Sequence, residues 1–294
     1  MSRSARAYAA WAVVCVVWGT TYLAIRIALE TIPPMLMAAM RWIAAGVLLI
    51  TALKIAGQRL PGVRSWPALT LLGILLLGFG NGGVVWAEQT VPSGLTSVLV
   101  ATVPFWMVGI EAVSGKADHL GPRRIIGLIL GFLGIVLLVW PQLSVEGSGG
   151  GFFGGVISSQ LAGIGWAIGS TYARRRGHSD AEDENVLATA AFEMLLGGIV
   201  LLLVGIALGE PSRLAFNVRT SLALAHLTLF GAVAAFTAYA YALKHLPVAT
   251  VSLYAYINPL IAVILGAFVL DEPFSMRMAV AAAVVLVGVA MVRN

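Results

Sequence analysis

Apolar residues along this chain do not alternate with polar ones. They come in unbroken runs separated by short breaks rich in Gly, Pro and charge, as in AAGVLLITALKIAGQRLPG at residues 44–62. A continuous apolar run too long for a strand reads as a helix, and one of about 20 residues is long enough to cross ~30 Å of hydrocarbon. Such runs lie near 8–29, 34–55, 67–87, 94–115, 122–140, 152–173, 187–208, 220–243, 249–270 and 275–292. The pattern predicts an all-α integral membrane protein of ten transmembrane helices. The first run is too long for a signal-peptide core and is followed within a few residues by a second, so it is expected to remain in the protein.

Composition agrees with the pattern. Hydrophobic residues make up 60% of the 294 and charged residues 11%, whereas soluble domains carry about 25% charge. Two soluble domains of this total length could not cover their surfaces, but lipid replaces water around most of a polytopic membrane protein.

The few charges set the orientation. With a cytoplasmic N-terminus, the inner side holds Arg3, Arg6, Lys54, Arg59, Arg64, Lys116, Arg123, Arg124, Arg174, Arg175, Arg176, Lys244 and Arg293. The outer side holds Arg213, Arg219 and Arg277, with Arg26 and Arg41 inside spans. This asymmetry predicts both termini inside. The net charge of +5 therefore reflects orientation in an anionic membrane and gives no reason to expect a nucleic-acid partner.

The chain also resembles itself. AAMRWIAAGVLLI (38–50) aligns with AAFEMLLGGIVLL (190–202), and GTTY (19–22) with GSTY (169–172). Pro92 and Pro104 match Pro247 and Pro259 at one offset, and Gly134 matches Gly288. Two halves, 1–146 and 147–294, with five spans each are expected; an odd number turns the second half upside down. Inverted repeats are a mark of secondary transporters whose site lies near the midplane.

WGTTY in the first span, AAMRW in the second, LVATVPFW in the fourth and INPLIAVILGAFVLDEPFS across the ninth and its loop resemble the ten-helix, EamA-type branch of the drug/metabolite transporter superfamily. GNGGVVWAEQTVPSG is similar to the YedA-like exporters within it. The resemblance covers essentially the whole chain. It implies a central cavity lined by spans 1, 3, 4, 6, 8 and 9, an inner-membrane location, and export of small metabolites such as amino acids or drug-like molecules.

Gly78, Gly80 and Gly83 spell G-x-G-x-x-G, but no strand precedes them and no acid follows at the required distance, so a dinucleotide site is not expected. Helix packing through small residues explains them. Asn81 and Glu88, seven apart, share a helix face. Asn81 either lines a cavity or makes an interhelical hydrogen bond, and Glu88 either reaches water or guards the outer mouth as an amine- or proton-binding acid. Trp86 belongs to the same stretch.

Aromatic and polar residues recur on single faces: Trp18, Tyr22 and Arg26; Thr102 and Trp106; Trp166 and Ser170; Phe236 and Tyr239; Tyr254 and Asn258. Such faces suit packing, or a cavity for a cationic or amphipathic solute. The candidate substrate-binding set is Trp18, Tyr22, Asn81, Trp86, Glu88, Thr102, Trp106, Trp166, Tyr239, Tyr254 and Asn258. Pro104 and Pro259 are candidate hinges, each freeing a carbonyl four residues earlier. Arg41 and Glu193 occupy matching repeat positions with opposite charge. At ~1.5 Å per residue each lies only ~10 Å from its own membrane surface, so each is expected to act as a gate or snorkelling group on its own side. The stretch 174–185, RRRGHSDAEDEN, reads as a charged linker.

Cys15 is the only cysteine and the four histidines are scattered, so no metal site or cofactor is expected. G-x-x-x-x-G-K-[ST] is absent, which argues against direct use of ATP. The expected function is a secondary exporter working by alternating access, with possible proton coupling. A channel-like facilitator and, more remotely, a membrane-embedded enzyme are the alternatives, the latter disfavoured because Asp118, Asp180, Asp183 and Asp271 fall in loops.

Overall fold

A chain that must cross hydrocarbon has to satisfy its backbone hydrogen bonds within each crossing, and helices do this locally. The computed structural model, which describes residues 3–113, 122–144, 150–179, 185–251, 253–272 and 275–293, contains helices and connecting turns and no strand among those residues. Among the described residues, six helices are long and apolar enough to cross a membrane: Ser4–Ala28, Pro34–Ile55, Val63–Ala87, Gly150–Arg176, Val186–Ala207 and Val218–His245. Pro34–Ile55, with 22 residues, is about 33 Å long at the α-helical rise. Shorter apolar helices, Ser93–Met107, Ile125–Gly134, Ile257–Leu270 and Met276–Gly288, fall at the other four expected positions. Large apolar side chains point outward, with Phe268 84% and Leu222 66% exposed, as lipid-facing surfaces require.

Four of the expected helices are not uniform. The third changes from α-helix at Trp66–Leu72 to a wider π-helix at Gly73–Asn81 and back to α-helix at Gly82–Ala87. The eighth does the same, with a π-helix at Leu227–Ala234. The offset that carries Pro104 onto Pro259 carries one π-stretch almost onto the other. A π-turn keeps the backbone bonded while rotating the side chains beyond it, and such turns often accompany functional sites.

The fourth and ninth segments, expected as single helices, are each two pieces: Ser93–Val100 and Val103–Val113, then Val248–Val251 and Tyr254–Leu270. The two prolines act differently. Pro104 is the second residue of its helix, where a missing N–H costs little. Pro259 lies inside the helix Tyr254–Leu270. The interruptions fall at different distances from the two prolines. The sixth segment also runs further than expected, to Ser179. Arg174–Arg176 are thus helical, not linker; residues 180–184 lie outside the described residues.

The second segment packs against the seventh, the fourth against the ninth and the fifth against the tenth, while the first lies against the eighth and ninth. These contacts need bare backbone. A Cβ on Gly46 would sit 2.8 Å from the Leu195 nitrogen, so only glycine lets the second and seventh segments approach this closely. Two acidic residues fasten helix starts from across the chain. The Glu210 carboxylate accepts from the Met35 and Leu36 N–H groups at 3.2 and 2.8 Å. Glu272 accepts from the Ser93 and Gly94 N–H groups at 2.9 and 3.1 Å, and from the Ser93 hydroxyl. Each places negative charge at a helix N-terminus, where orphan donors and the helix dipole favour it.

Candidate functional site

The first segment brings Trp18 and Tyr22 one turn apart, and Trp18 meets side chains of the sixth, eighth and ninth segments. Trp18 is buried, with its ring centroid 5.3 Å from Trp166, 5.1 Å from Tyr254 and 5.1 Å from Tyr239. The contacts with Trp166 and Tyr254 are edge-on, at 83° and 82°, the arrangement that aligns ring edges with π-faces. Trp18 Nε1 donates to the Gly231 carbonyl at 3.0 Å, so its polar end is satisfied inside the bundle.

This cluster walls one side of a narrow cleft among the segments. Of the residues expected to bind substrate, Trp18, Tyr22, Asn81, Trp166, Tyr254 and Asn258 line it. Arg41, Trp42 and Thr21 line it too. The second segment therefore enters the site, although the resemblance implied only spans 1, 3, 4, 6, 8 and 9. Gly80 also faces the cleft, and a Cβ there would lie 2.7 Å from Trp166 Cε3. Gly83 is closed off by Ala162 and Ser158, whereas Gly78 faces almost open space. Gly80, Gly82 and Gly83 are packing residues, Gly78 is not, and Gly80 makes room for an aromatic wall.

Asn81 lines the cleft, and its Oδ1 accepts from Trp42 Nε1 at 2.9 Å. Asn258, with its amide nitrogen turned inward, donates to the Cys15 carbonyl at 2.8 Å and the Tyr254 carbonyl at 3.2 Å.

Tyr239 lies on the other side of the aromatic cluster. With Phe236 it lines a second cleft, which Arg174, Arg176, Glu193 and Lys244 also line. Trp166 Nε1 donates to the Tyr239 hydroxyl at 3.0 Å, so the two clefts meet at this bond. Arg41 lines one cleft and Glu193 the other, in keeping with separate roles for the two charges.

Other candidates stand elsewhere. Thr102 and Trp106 do not line the aromatic cleft; both donate to Gln160 Oε1, at 3.0 and 3.3 Å. Gln160 Nε2 in turn donates to the Leu99 carbonyl at 3.2 Å, beside the interruption of the fourth segment. Gln160 thus holds the broken helix in place. It was missed because a lone Gln in an apolar run has no spacing pattern. Trp86 is 43% exposed and points away from the cleft.

Glu88 does not reach water. It is fully buried, and neither carboxylate oxygen has a hydrogen-bond partner. It is not among the cleft-lining residues either, so the shared helix face of Asn81 and Glu88 does not bring them to one site. The Arg26 guanidinium donates to the Glu88 backbone carbonyl, not to its carboxylate. Arg41 is 2% exposed, its Nε and Nη1 likewise have no partner, and its guanidinium carbon lies 4.3 Å from the centre of the Trp42 ring.

Known proteins resemble this arrangement over nearly the whole chain. A solved structure described only as a crystal structure of a protein superposes with a TM-score of 0.70 at 22% identity, covering 99% of this chain and 96% of that one. The uncharacterized inner membrane transporter YedA of Escherichia coli K12 is 37% identical over 257 residues, 85% of this chain and 78% of that protein. The WAT1-related protein At3g02690, chloroplastic, of Arabidopsis thaliana is 28% identical over 281 residues, 94% of this chain and 66% of that protein. The EamA-like transporter family matches residues 6–140 and again 153–294. With a buried aromatic cleft inside an apolar helical bundle and two matches that take in most of its length, the chain belongs to the EamA-like transporter family.

Proposed function

We propose that this protein is a secondary transporter of the bacterial inner membrane that exports amino acids or small amphipathic, drug-like metabolites by alternating access. In this reading the chain crosses the membrane ten times with both termini inside, as inverted halves 1–146 and 147–294. One observation carries the proposal: two clefts lie on opposite sides of a buried aromatic partition, Trp18, Trp166, Tyr239 and Tyr254, in a bundle that belongs to a transporter family. Repacking the partition would expose the solute to one cleft or the other.

The aromatic walls suit a flat or amphipathic body. The π-stretches and interruptions lie in segments 3, 4, 8 and 9, which meet at the clefts, so the backbone there can change pitch without losing all of its bonding. The test is uptake into proteoliposomes of labelled amino acids, cationic drugs and sugars, with and without a pH gradient. Saturable uptake that unlabelled solute on the opposite side accelerates supports a carrier. Flux without such counter-transport would turn the reading to a channel-like facilitator, and flux no greater than in empty vesicles would end it.

A further inference from the structure

Arg41 has an opposite charge nearby, but at a distance. Arg41 is buried at the edge of the first cleft, Glu88 is fully buried, and the charge of each acts on the other through the dry interior. No hydrogen bond joins them: both Glu88 carboxylate oxygens are without a partner, as are Arg41 Nε and Nη1. Two further charges act on Glu88, and both are engaged elsewhere. Arg26 donates to the Glu88 backbone carbonyl, and Glu272 accepts from the start of the fourth segment.

The repeat carries this arrangement to the other cleft with two of its signs exchanged. The offset that aligns GTTY with GSTY takes Arg26 onto Arg176, and the one that aligns AAMRW with AAFEM takes Arg41 onto Glu193. The offset of the paired prolines takes Glu88 to the residue just before Lys244. Arg176, Glu193 and Lys244 all line the second cleft. A cation in the second segment with an anion at the end of the third is thus answered by an anion in the seventh with a cation at the end of the eighth.

Opposite charges kept dry without contact raise the energy of the conformation that buries them, and removing one is worse than removing both. Opening a mouth to water rehydrates them. We propose that Arg41 with Glu88 on the outer side, and Glu193 with Lys244 on the inner side, are opposed gate pairs whose hydration sets which mouth opens. This rests on the transporter reading with its two inverted halves, and it names what biases the alternation. In this structure the outer pair is dry, whereas Lys244 is only half-buried, so the conformation leans towards the inner mouth.

The test reads two single cysteines with Cys15 replaced, one at Val84 in the first cleft and one at Thr189 in the second. An impermeant thiol reagent is added to intact cells for Val84 and to inside-out vesicles for Thr189. Arg41→Met with Glu88→Gln removes both charges. Val84 is then expected to react about tenfold more slowly, and Thr189 faster, with a raised unfolding temperature in detergent. Glu88→Gln alone strands Arg41, so Val84 should react faster than in wild type and the unfolding temperature should fall. Glu193→Gln with Lys244→Met should give the mirror image, slowing Thr189 and speeding Val84.

Unchanged labelling in Glu88→Gln would show that Glu88 is neutral in the wild type and overturns the proposal. So does slowing at Val84 in the single and the double variant alike, which is what lost packing gives. Inner-pair variants that leave both reporters unchanged also overturn it. Saturable uptake by wild type alongside any of these results spares the transporter reading, whereas no flux of any solute ends that reading whatever the labelling.

Discussion

The Trp166 indole nitrogen lies 3.0 Å from the Tyr239 hydroxyl, and that hydroxyl lies 2.7 Å from Ser170 Oγ. Ser170 in turn donates to the Trp166 carbonyl at 2.7 Å. Each hydroxyl has one proton to give. Trp166 N–H therefore donates to Tyr239, Tyr239 O–H to Ser170, and Ser170 O–H to the backbone of Trp166. The sixth and eighth segments are joined by this closed ring of bonds where the two clefts meet.

Tyr239→Phe removes two of the three links and leaves a buried indole N–H without an acceptor. The expected loss of stability is about 1–3 kcal/mol, measured by thermal or denaturant unfolding in detergent. Transport should fall beyond the loss of folded protein if the ring holds the partition. Unchanged stability would mean that Trp166 finds another acceptor.

Gly80→Ala and Gly78→Ala form a matched pair. A Cβ at Gly80 meets Trp166 at 2.7 Å, whereas at Gly78 the nearest atom is 3.9 Å away. Overpacking of this kind costs about 1–3 kcal/mol, so Gly80→Ala should lower transport and stability while Gly78→Ala should leave both near wild type. Equal effects of the two would show that helix propensity, not the aromatic wall, governs these sites.

Gln160→Leu tests the repair of the interrupted fourth segment. It strips the acceptor from Trp106, whereas Thr102 and the Leu99 carbonyl keep their 2.7 Å bond to each other. A buried group left unpaired costs about 1–3 kcal/mol, so a loss of stability of that size is expected, and Gln160→Glu should restore the acceptor alone. Wild-type stability in the Leu variant would show that water replaces the side chain.

The orientation can be checked directly. Ser212 and Gln58 are exposed, in turns at opposite ends of neighbouring segments. With Cys15 replaced, a cysteine at Ser212 should react with an impermeant thiol reagent added outside intact cells. One at Gln58 should react only after permeabilisation. The reverse pattern would invert the topology, and equal reactivity would sink the ten-crossing arrangement.

Segment positions were legible in the sequence to within a few residues, because a run of apolar side chains is determined locally by what hydrocarbon tolerates. The glycine stretch at 78–83 was readable as packing at Gly80, Gly82 and Gly83, because the strand and acid that a dinucleotide site needs were absent from its neighbourhood. Gly78, by contrast, faces almost open space. Trp18, Tyr22, Trp166 and Tyr254 were found because a stripe at helical spacing already defines a face. What the stripe faced was not in the sequence. Tyr239 turned to the second cleft, Thr102 and Trp106 to Gln160, and Trp86 to the surface. Each of those outcomes depends on which segments pack together and on small rotations at π-turns and helix breaks, and no residue's local pattern encodes them. The charges show the limit most plainly. Their number and sidedness could be read from the chain alone, but that Arg41 and Glu88 are both buried without a bond follows only from the tertiary packing that removes water from around them.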